Sequence, residues 1–406
     1  MRILLATYWV IPDVGGVTVY LDQLKQHLEA RGHQVDLLAH HPEYDRYHIV
    51  GKGRTFYKSN VLPFIDKKIR SYYRETFPEL DNSCVDLEVI RYSFELGAAY
   101  LGLGDYDLIH TQDVFSTLAI SRVKPRNTAL VATIHGSLAK EMVLTGTAEV
   151  GKSVSWHYMS TLEYRGAISS NLTILSSNWL RNVLVNEFGV PGDRLRVIPN
   201  GIDTAAFNTR MDSPASYSRS GDNRKVLICP ARLNTIKGHH VLIDALAILK
   251  TMRNDWVCWI VGDGPNRPDF EQQVDALGLR DHIIFFGERD DVPQLFKQAD
   301  VFVMPSLQDN FPYAVLEAQV AGKPSVVTDA GGIPEMVIHE ETGLVSPVRD
   351  ASALANNLRR ILQDDGLRQR LGETARQRSG YWSLQRMVNE TVVTYHDAIH
   401  KVKGGV

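Results

Sequence analysis

"NTRMDSPASYSRSGDNRKVLICPARL", residues 208–233, changes character partway along. Its first part is polar, rich in serine and poor in large apolar residues, so 208–224 reads as a linker. Its second part, "KVLICPARL" (225–233), reads as a buried strand that starts afresh. A new strand after a linker implies a second domain, and the chain on either side agrees. Upstream, "RILLATYW" (2–9), "QVDLLAH" (34–40), "DLIHTQ" (107–112), "ALVATIHG" (129–136) and "LTILSS" (172–177) alternate with helical patterns. Downstream, "WVCWIVGDG" (256–264), "IIFFGE" (283–288), "VFVMPS" (301–306) and "PSVVTD" (324–329) do the same. Such alternation predicts an α/β fold of two Rossmann-like doubly wound domains, each a parallel sheet with helices on both faces. The boundaries that follow are a first domain over 1–207, the linker, a second domain over 225–380 and a helical C-terminal segment over 381–406. Open α/β sheets bind ligands beyond the carboxyl ends of their strands, so the expected site is a central cleft that both domains face.

Composition narrows the function classes. A chain of 406 residues with 44% apolar and 22% charged residues is ordinary for a globular protein, and a net charge of −3 gives no general attraction to nucleic acid. Cys84, Cys229 and Cys258 are odd in number and far apart, which argues against a disulfide framework and fits a reducing, cytoplasmic setting. No apolar run approaches the ~20 residues of a membrane-spanning helix. The opening "MRILLATYWV" runs directly into a glycine turn and reads as a first buried strand rather than a signal sequence.

The loops after the strands carry the chemistry. Gly15 and Gly16 precede a helical pattern with Val19, Leu24 and Leu28, and glycines at a helix start let backbone N–H groups approach an anion. The same pair also serves a plain strand-to-helix turn. No GxGxxG is present and no acidic residue closes the second strand, which disfavours a nicotinamide enzyme. In "ARLNTIKGHH", Arg232 and Lys237 flank a strand-to-helix loop, where two cations oppose the helix dipole and call for an anion such as a diphosphate. "TDAGGIPEMV" repeats the device with Gly331, Gly332 and Ile333. Between them, "PSLQDNFPYAVLEAQVAG" (305–322) supplies Asp309 in a loop and Glu317 on a helix, placed to accept hydrogen bonds from vicinal hydroxyls such as a ribose offers. "DYD" (105–107) precedes an apolar strand and reads as a surface turn, and the adjacent pairs His40–His41 and His239–His240 lack metal-ligand spacing, so no metal is expected.

These blocks, with "VGDGP", "TGLVSP", "IPNGID" and the "HG" at 135–136, resemble the retaining glycosyltransferases of family 4, which have the two-domain GT-B fold. The resemblance implies that Arg232 and Lys237 bind the donor diphosphate and that Glu317 binds the nucleotide ribose. It gives the backbone around Gly331, Gly332 and Ile333 to the phosphates and donor sugar, and adds Gly264, Asn310 and Phe311 in the matched blocks as donor-binding. Gly15 and Gly16 match the glycine loop against the diphosphate and acceptor, His135 the histidine lining the donor sugar, and Asp309 the first acidic position. The family pattern has glutamate where Asp309 stands and commonly glycine where Pro312 stands. By the same resemblance the first domain binds the acceptor, the second binds the donor, and the C-terminal helix crosses back to the first domain.

The reaction implied is transfer of a sugar from a nucleoside diphosphate, UDP in preference to GDP-mannose, to a carbohydrate or lipid-linked acceptor with retention. Cell-surface polysaccharide or glycolipid synthesis in bacteria is the expected setting, with no cofactor. Rival readings are a nucleotide-sugar epimerase and a non-catalytic scaffold of the same fold. Residues 46–74 carry Arg46, Lys52, Arg54, Lys58, Lys67, Lys68, Arg70 and Arg74 against Asp66 alone, interleaved with Tyr47, Phe56, Tyr57, Phe64, Tyr72 and Tyr73. That pattern suits peripheral contact with an anionic membrane, and equally a solvated helical face whose aromatics anchor the core.

Overall fold

A computed structural model describes residues 1–13, 15–217 and 223–404 of the chain. The chain divides into two compact units, Met1–Pro199 with Met387–Val406, and Asn200–Arg386.

The first unit is built on an eight-stranded sheet. Its strands are β1 (Arg2–Val10), β2 (Gln34–His40), β3 (Arg46–Ile49), β4 (Arg54–Tyr57), β5 (Leu108–Thr111), β6 (Ala129–Ile134), β7 (Leu172–Leu175) and β8 (Leu195–Val197). They lie in the order β4-β3-β2-β1-β5-β6-β7-β8. All neighbours are parallel except the β2–β3 and β3–β4 pairs. β5, β6 and β7 are buried at every position, as strands covered on both faces must be, and their sequences are accordingly almost all apolar or Thr. The β3–β4 hairpin and β8 are not visible in the sequence, because RYHI, RTFY and LRV each carry an arginine and lack the apolar runs that mark the other short strands. The helix after the first glycine turn spans Gly16–Ala30 and buries Tyr20, Leu21, Leu24 and Leu28, while Val19, expected on that stripe, is exposed.

The second unit holds a six-stranded, wholly parallel sheet: β9 (Lys225–Pro230), β10 (Trp256–Val261), β11 (Ile283–Gly287), β12 (Val301–Met304), β13 (Ser325–Thr328) and β14 (Gly343–Ser346), in the order β11-β10-β9-β12-β13-β14. Apolar clusters cover both faces, one around Leu242, Leu246 and Leu358, the other around Phe296, Leu316 and Trp382. The chain leaves β9 toward β10 and β11, then returns to the other side of β9 as β12. That reversal makes the β9/β12 boundary the topological switch point, where a crevice opens beyond the strand ends.

The linker expected over 208–224 is corrected in part. Residues 208–212 belong to the helix Thr204–Asp212, whose Phe207 packs on Phe296 at 6.3 Å between rings. Ser216 hydrogen-bonds Asp291, and Tyr217 stacks edge-on against Trp259 and Phe286 at 5.4 and 4.9 Å. These residues therefore belong to the second unit, and 218–222 lie outside the described residues. Serine-rich composition concealed the Tyr217 anchor. The unit boundary correspondingly falls after Pro199 rather than after residue 207. The C-terminal helix runs Leu384–Lys403; from Met387 onward it belongs to the first unit, where the Tyr395 hydroxyl lies 2.7 Å from His110 Nδ1. Among the described residues no helix is long and apolar enough to cross a membrane.

Candidate functional site

At the switch point of the second unit, the loops after β9, β10, β12 and β13 are joined backbone to backbone. Leu307 N–H donates to the Ile236 carbonyl at 2.7 Å, and Gly332 N–H to the Asp309 carbonyl at 2.9 Å. Leu233 N–H donates to the Asp263 carbonyl at 2.9 Å, and Asn266 N–H to the Leu233 carbonyl at 3.1 Å. Two glycines make the closest approaches possible. Gly238 (φ +71°) and Gly331 (φ +59°) occupy the left-handed region, and a Cβ on either would stand 2.0 Å from a carbonyl oxygen, of Pro305 and Asp309 respectively.

This frame carries the polar side chains. The Arg232 side chain is exposed and makes no hydrogen bond or ion pair among the described residues, while its carbonyl accepts from Asn234 N–H at 2.9 Å. Lys237 Nζ lies 2.5 Å from Asp309 Oδ2, with side chains only 25% and 12% exposed. That ion pair was not foreseen: the two residues stand 72 positions apart, and only the β9/β12 crossover brings them together. Glu317 sits half-buried on the helix Tyr313–Val320 with no hydrogen-bond partner for its carboxylate among the described residues. Burial pushes its pKa up to about 7, opposed by the Arg210 charge. A desolvated carboxylate without donors is prepared to receive hydroxyl groups.

Phe311 is buried, with its ring edge-on to Trp382 at 5.2 Å and its carbonyl accepting from Asn200 Nδ2 at 3.1 Å, so its side chain belongs to the core. Ile333 is likewise wholly buried. Of the backbone N–H groups expected to cradle phosphate, that of Gly332 is bonded to Asp309 and that of Ile333 to the Ala330 carbonyl at 3.1 Å. The turn thus engages the N–H groups of Gly332 and Ile333 internally. Asn310 is buried beside Asp309, and Gly264 lies against the Leu233 backbone.

In the first unit, Gly15 precedes the Gly16–Ala30 helix in extended conformation, with open space where a Cβ would stand. His135 follows β6; its Nε2 lies 3.1 Å from Gln112 Oε1 and its ring packs edge-on against Tyr20 at 5.0 Å. Burial lowers its pKa to about 4, so it is a neutral imidazole at physiological pH. Two buried carboxyl groups support this region and escaped sequence reasoning. Asp113 accepts from Thr7 Oγ1 at 2.9 Å, Tyr8 N–H at 3.1 Å and Ser116 N–H at 2.6 Å, joining the ends of β1 and β5. Burial raises its pKa to about 6. Glu163, on the helix Val154–Ser169, accepts from Ser137 Oγ at 3.1 Å and Ala139 N–H at 2.7 Å through one oxygen, while Oε2 is buried without a hydrogen-bond partner among the described residues. Burial raises its pKa to about 8 and keeps it protonated at neutral pH. Asp113 had a visible signal as the residue before a helix with Ser116 three positions on; Glu163 had none.

The carboxylates of "DYD" are engaged with the chain start: Asp107 accepts from Arg2 N–H at 2.8 Å and Asp105 pairs with the Arg2 side chain at 3.6 Å. His41, Glu43 and Asp45 gather within metal-binding reach of one another, but Arg46 already lies among them, 2.8 Å from His41 Nε2 and 2.9 Å from Asp45. His239 is wholly buried in the core.

Comparison with known proteins gives two adjoining matches. The sequence model of glycosyltransferase family 4 fits residues 14–206, and that of glycosyl transferases group 1 fits residues 216–378. Over 414 residues the chain is 28% identical to an uncharacterised glycosyltransferase of Methanocaldococcus jannaschii, covering 98% of this chain and 99% of the relative. It is 25% identical to N-acetyl-alpha-D-glucosaminyl L-malate synthase of Bacillus anthracis, with 97% of both chains covered. The crystal structure of HepE from Anabaena in complex with UDP shares the fold at a TM-score of 0.67 and 20% identity, over 98% of this chain and all of that one.

Proposed function

We infer the activity from one premise: this chain belongs to the glycosyltransferases of family 4, group 1, with the GT-B pair of Rossmann-like domains. As a transferase of that kind, we propose that it moves a sugar from a nucleoside diphosphate, UDP by preference, to a hydroxyl of a carbohydrate or lipid-linked acceptor with retention of anomeric configuration. The observation that carries this is the Lys237–Asp309 ion pair across the switch point of the second unit, with Arg232 in the same loop as Lys237 and Glu317 on the helix that follows Asp309. UDP is favoured because the HepE structure holds it.

Each residue has a role in this reading. Glu317 accepts from the two ribose hydroxyls. Arg232 and Lys237 bind the diphosphate; an ammonium has three donors, so Lys237 serves Asp309 and a phosphate oxygen together. The Asp309 carboxylate keeps that ammonium in place and reaches the donor sugar. From the first unit, His135 serves the donor sugar, as a neutral hydrogen-bonding ring, and Gly15–Gly16 the acceptor side. The anomeric carbon's bond to the β-phosphate oxygen breaks on the face where the acceptor oxygen bonds, and the acceptor's proton passes to the leaving phosphate. Arg232 and Lys237 then stabilise the charge that grows on the diphosphate, an effect worth ~3 kcal/mol per donor in comparable sites.

The test is thermal unfolding with UDP, GDP, ADP, CMP and TDP and their common sugars. A nucleotide at a hundred times its Kd adds ~2.7 kcal/mol of stability. One nucleotide should stabilise the wild type and fail with Arg232→Ala and Glu317→Ala. Equal stabilisation of all three proteins would overturn the site assignment.

A further inference from the structure

The basic and aromatic segment 46–74 separates, in the folded chain, into two sets. Most of it is engaged internally. Arg46 pairs with Glu43 and Asp45, Lys52 with Asp36, and Arg70 with Asp66 and Asp86. Tyr47 and Phe56 are core residues, and the Tyr73 hydroxyl donates to Glu88 at 3.0 Å. What remains lies on the helix Leu62–Thr76, which has no fully buried residue. Its inner face, with Ile69 and Tyr73, packs against the core. Its outer face presents Phe64, 71% exposed, and Tyr72, 56% exposed, with Lys67, Lys68 and Arg74 between and beside them. Phe64, Lys68 and Tyr72 are spaced by four and form one row, while Lys67 and Arg74 flank it. These three cations have no ion-pair partner among the described residues. The acid on this face, Glu75, accepts from Ser71 Oγ at 2.7 Å.

We propose that this outer face of the Leu62–Thr76 helix docks on an anionic lipid bilayer, with Phe64 and Tyr72 entering the headgroup layer and Lys67, Lys68 and Arg74 meeting lipid phosphates. Charge complementarity selects this occupant: three uncompensated cations against one acid, on a chain whose net charge is −3, suit an anionic surface. Rings exposed between cations are the arrangement that an interface rewards, since each ring gains apolar contact while its neighbours stay hydrated. A second copy of this chain would bring the same three cations against themselves and is disfavoured.

Flotation of the full-length protein with vesicles of phosphatidylglycerol and phosphatidylcholine, against phosphatidylcholine alone, tests this. The wild type should float with the anionic vesicles at low salt and be released as salt rises. Lys67→Glu/Lys68→Glu should weaken partitioning by about tenfold or more, and Phe64→Ser/Tyr72→Ser should weaken it with less effect on its salt dependence. Both variants should unfold at the wild-type temperature, because the altered side chains are exposed. Failure of the wild type to float at low salt, equal flotation with neutral vesicles, or variants that float like wild type would overturn the proposal. So would a dimer in light scattering that these variants dissociate, which would make the face an interface between copies. None of these outcomes depends on sugar transfer, so the proposal and the activity fail separately.

Discussion

The carboxyl edges of the two sheets are solved by different physics. In the second unit the loops are fixed by backbone against backbone, through glycines set on neighbouring carbonyls, and the edge carries one sheltered ion pair. In the first unit the corresponding edge is fixed by buried side chains, Asp113 between β1 and β5, Gln112 under His135, and Glu163 under the loop that follows. A backbone-built edge leaves charged side chains available for a ligand. A side-chain-built edge uses its polar groups to hold itself and makes them sensitive to protonation.

The largest test of that contrast is Lys237→Ala. Turnover should fall by about 10²–10³-fold, the range for loss of one stabilising donor. Because Asp309 then loses its partner, stability should also fall by about 1–3 kcal/mol. Lys237→Ala/Asp309→Asn should recover that stability and none of the turnover. Recovery of both would mean that the ion pair is purely structural.

Glycine replacement sharpens the comparison next. Gly331→Ala places a Cβ against the Asp309 carbonyl in a left-handed conformation and should cost about 2 kcal/mol or more. Gly15→Ala, extended and in open space, should stay within about 0.5 kcal/mol in thermal unfolding. Equal costs would deny the backbone-built picture.

Protonation separates the two edges further. The pKa of Glu163 is raised from 4.5 to about 8, so the stability it contributes is complete below pH 4.5 and is lost as pH rises toward and through 8. Glu163→Gln keeps an acceptor for Ser137 and Ala139 and should remove that pH dependence, leaving the variant about 1–2 kcal/mol more stable than wild type near pH 8. A wild-type stability that is flat over this range would refute the assignment. The smallest expected effect is at Glu317. Its raised pKa, about 7, means that ribose hydroxyls must draw a proton off it, so nucleotide affinity should rise up to about tenfold between pH 6 and pH 8. Titration calorimetry should show proton release on binding, absent in Glu317→Gln.

Legibility followed the same division. Arg232, Lys237, Gly331 and Gly332 were readable because each lies within a few residues of the strand end that positions it. Asp309 and Glu317 were readable as carboxylates on a loop and its helix. The partnership of Lys237 with Asp309 was not, and neither was the support of Ser137 by Glu163, because both depend on which strands become neighbours. The anchor Tyr217 was hidden by serine-rich surroundings that resemble a linker, and Phe207 by its place at the end of the range read as the first domain.

By itself the sequence determined the alternation of strand and helix, and so two doubly wound sheets, because burial on both faces demands short apolar strands whatever their order. It also determined which loops hold glycines and charges. Only the tertiary structure decided the pairings: which ammonium meets which carboxylate, which backbone N–H groups are consumed by a turn, and which cations of 46–74 stay unpaired on an outer face. Those outcomes rest on contacts between residues tens of positions apart, where strand order and burial fix the neighbours and local composition carries no record of them.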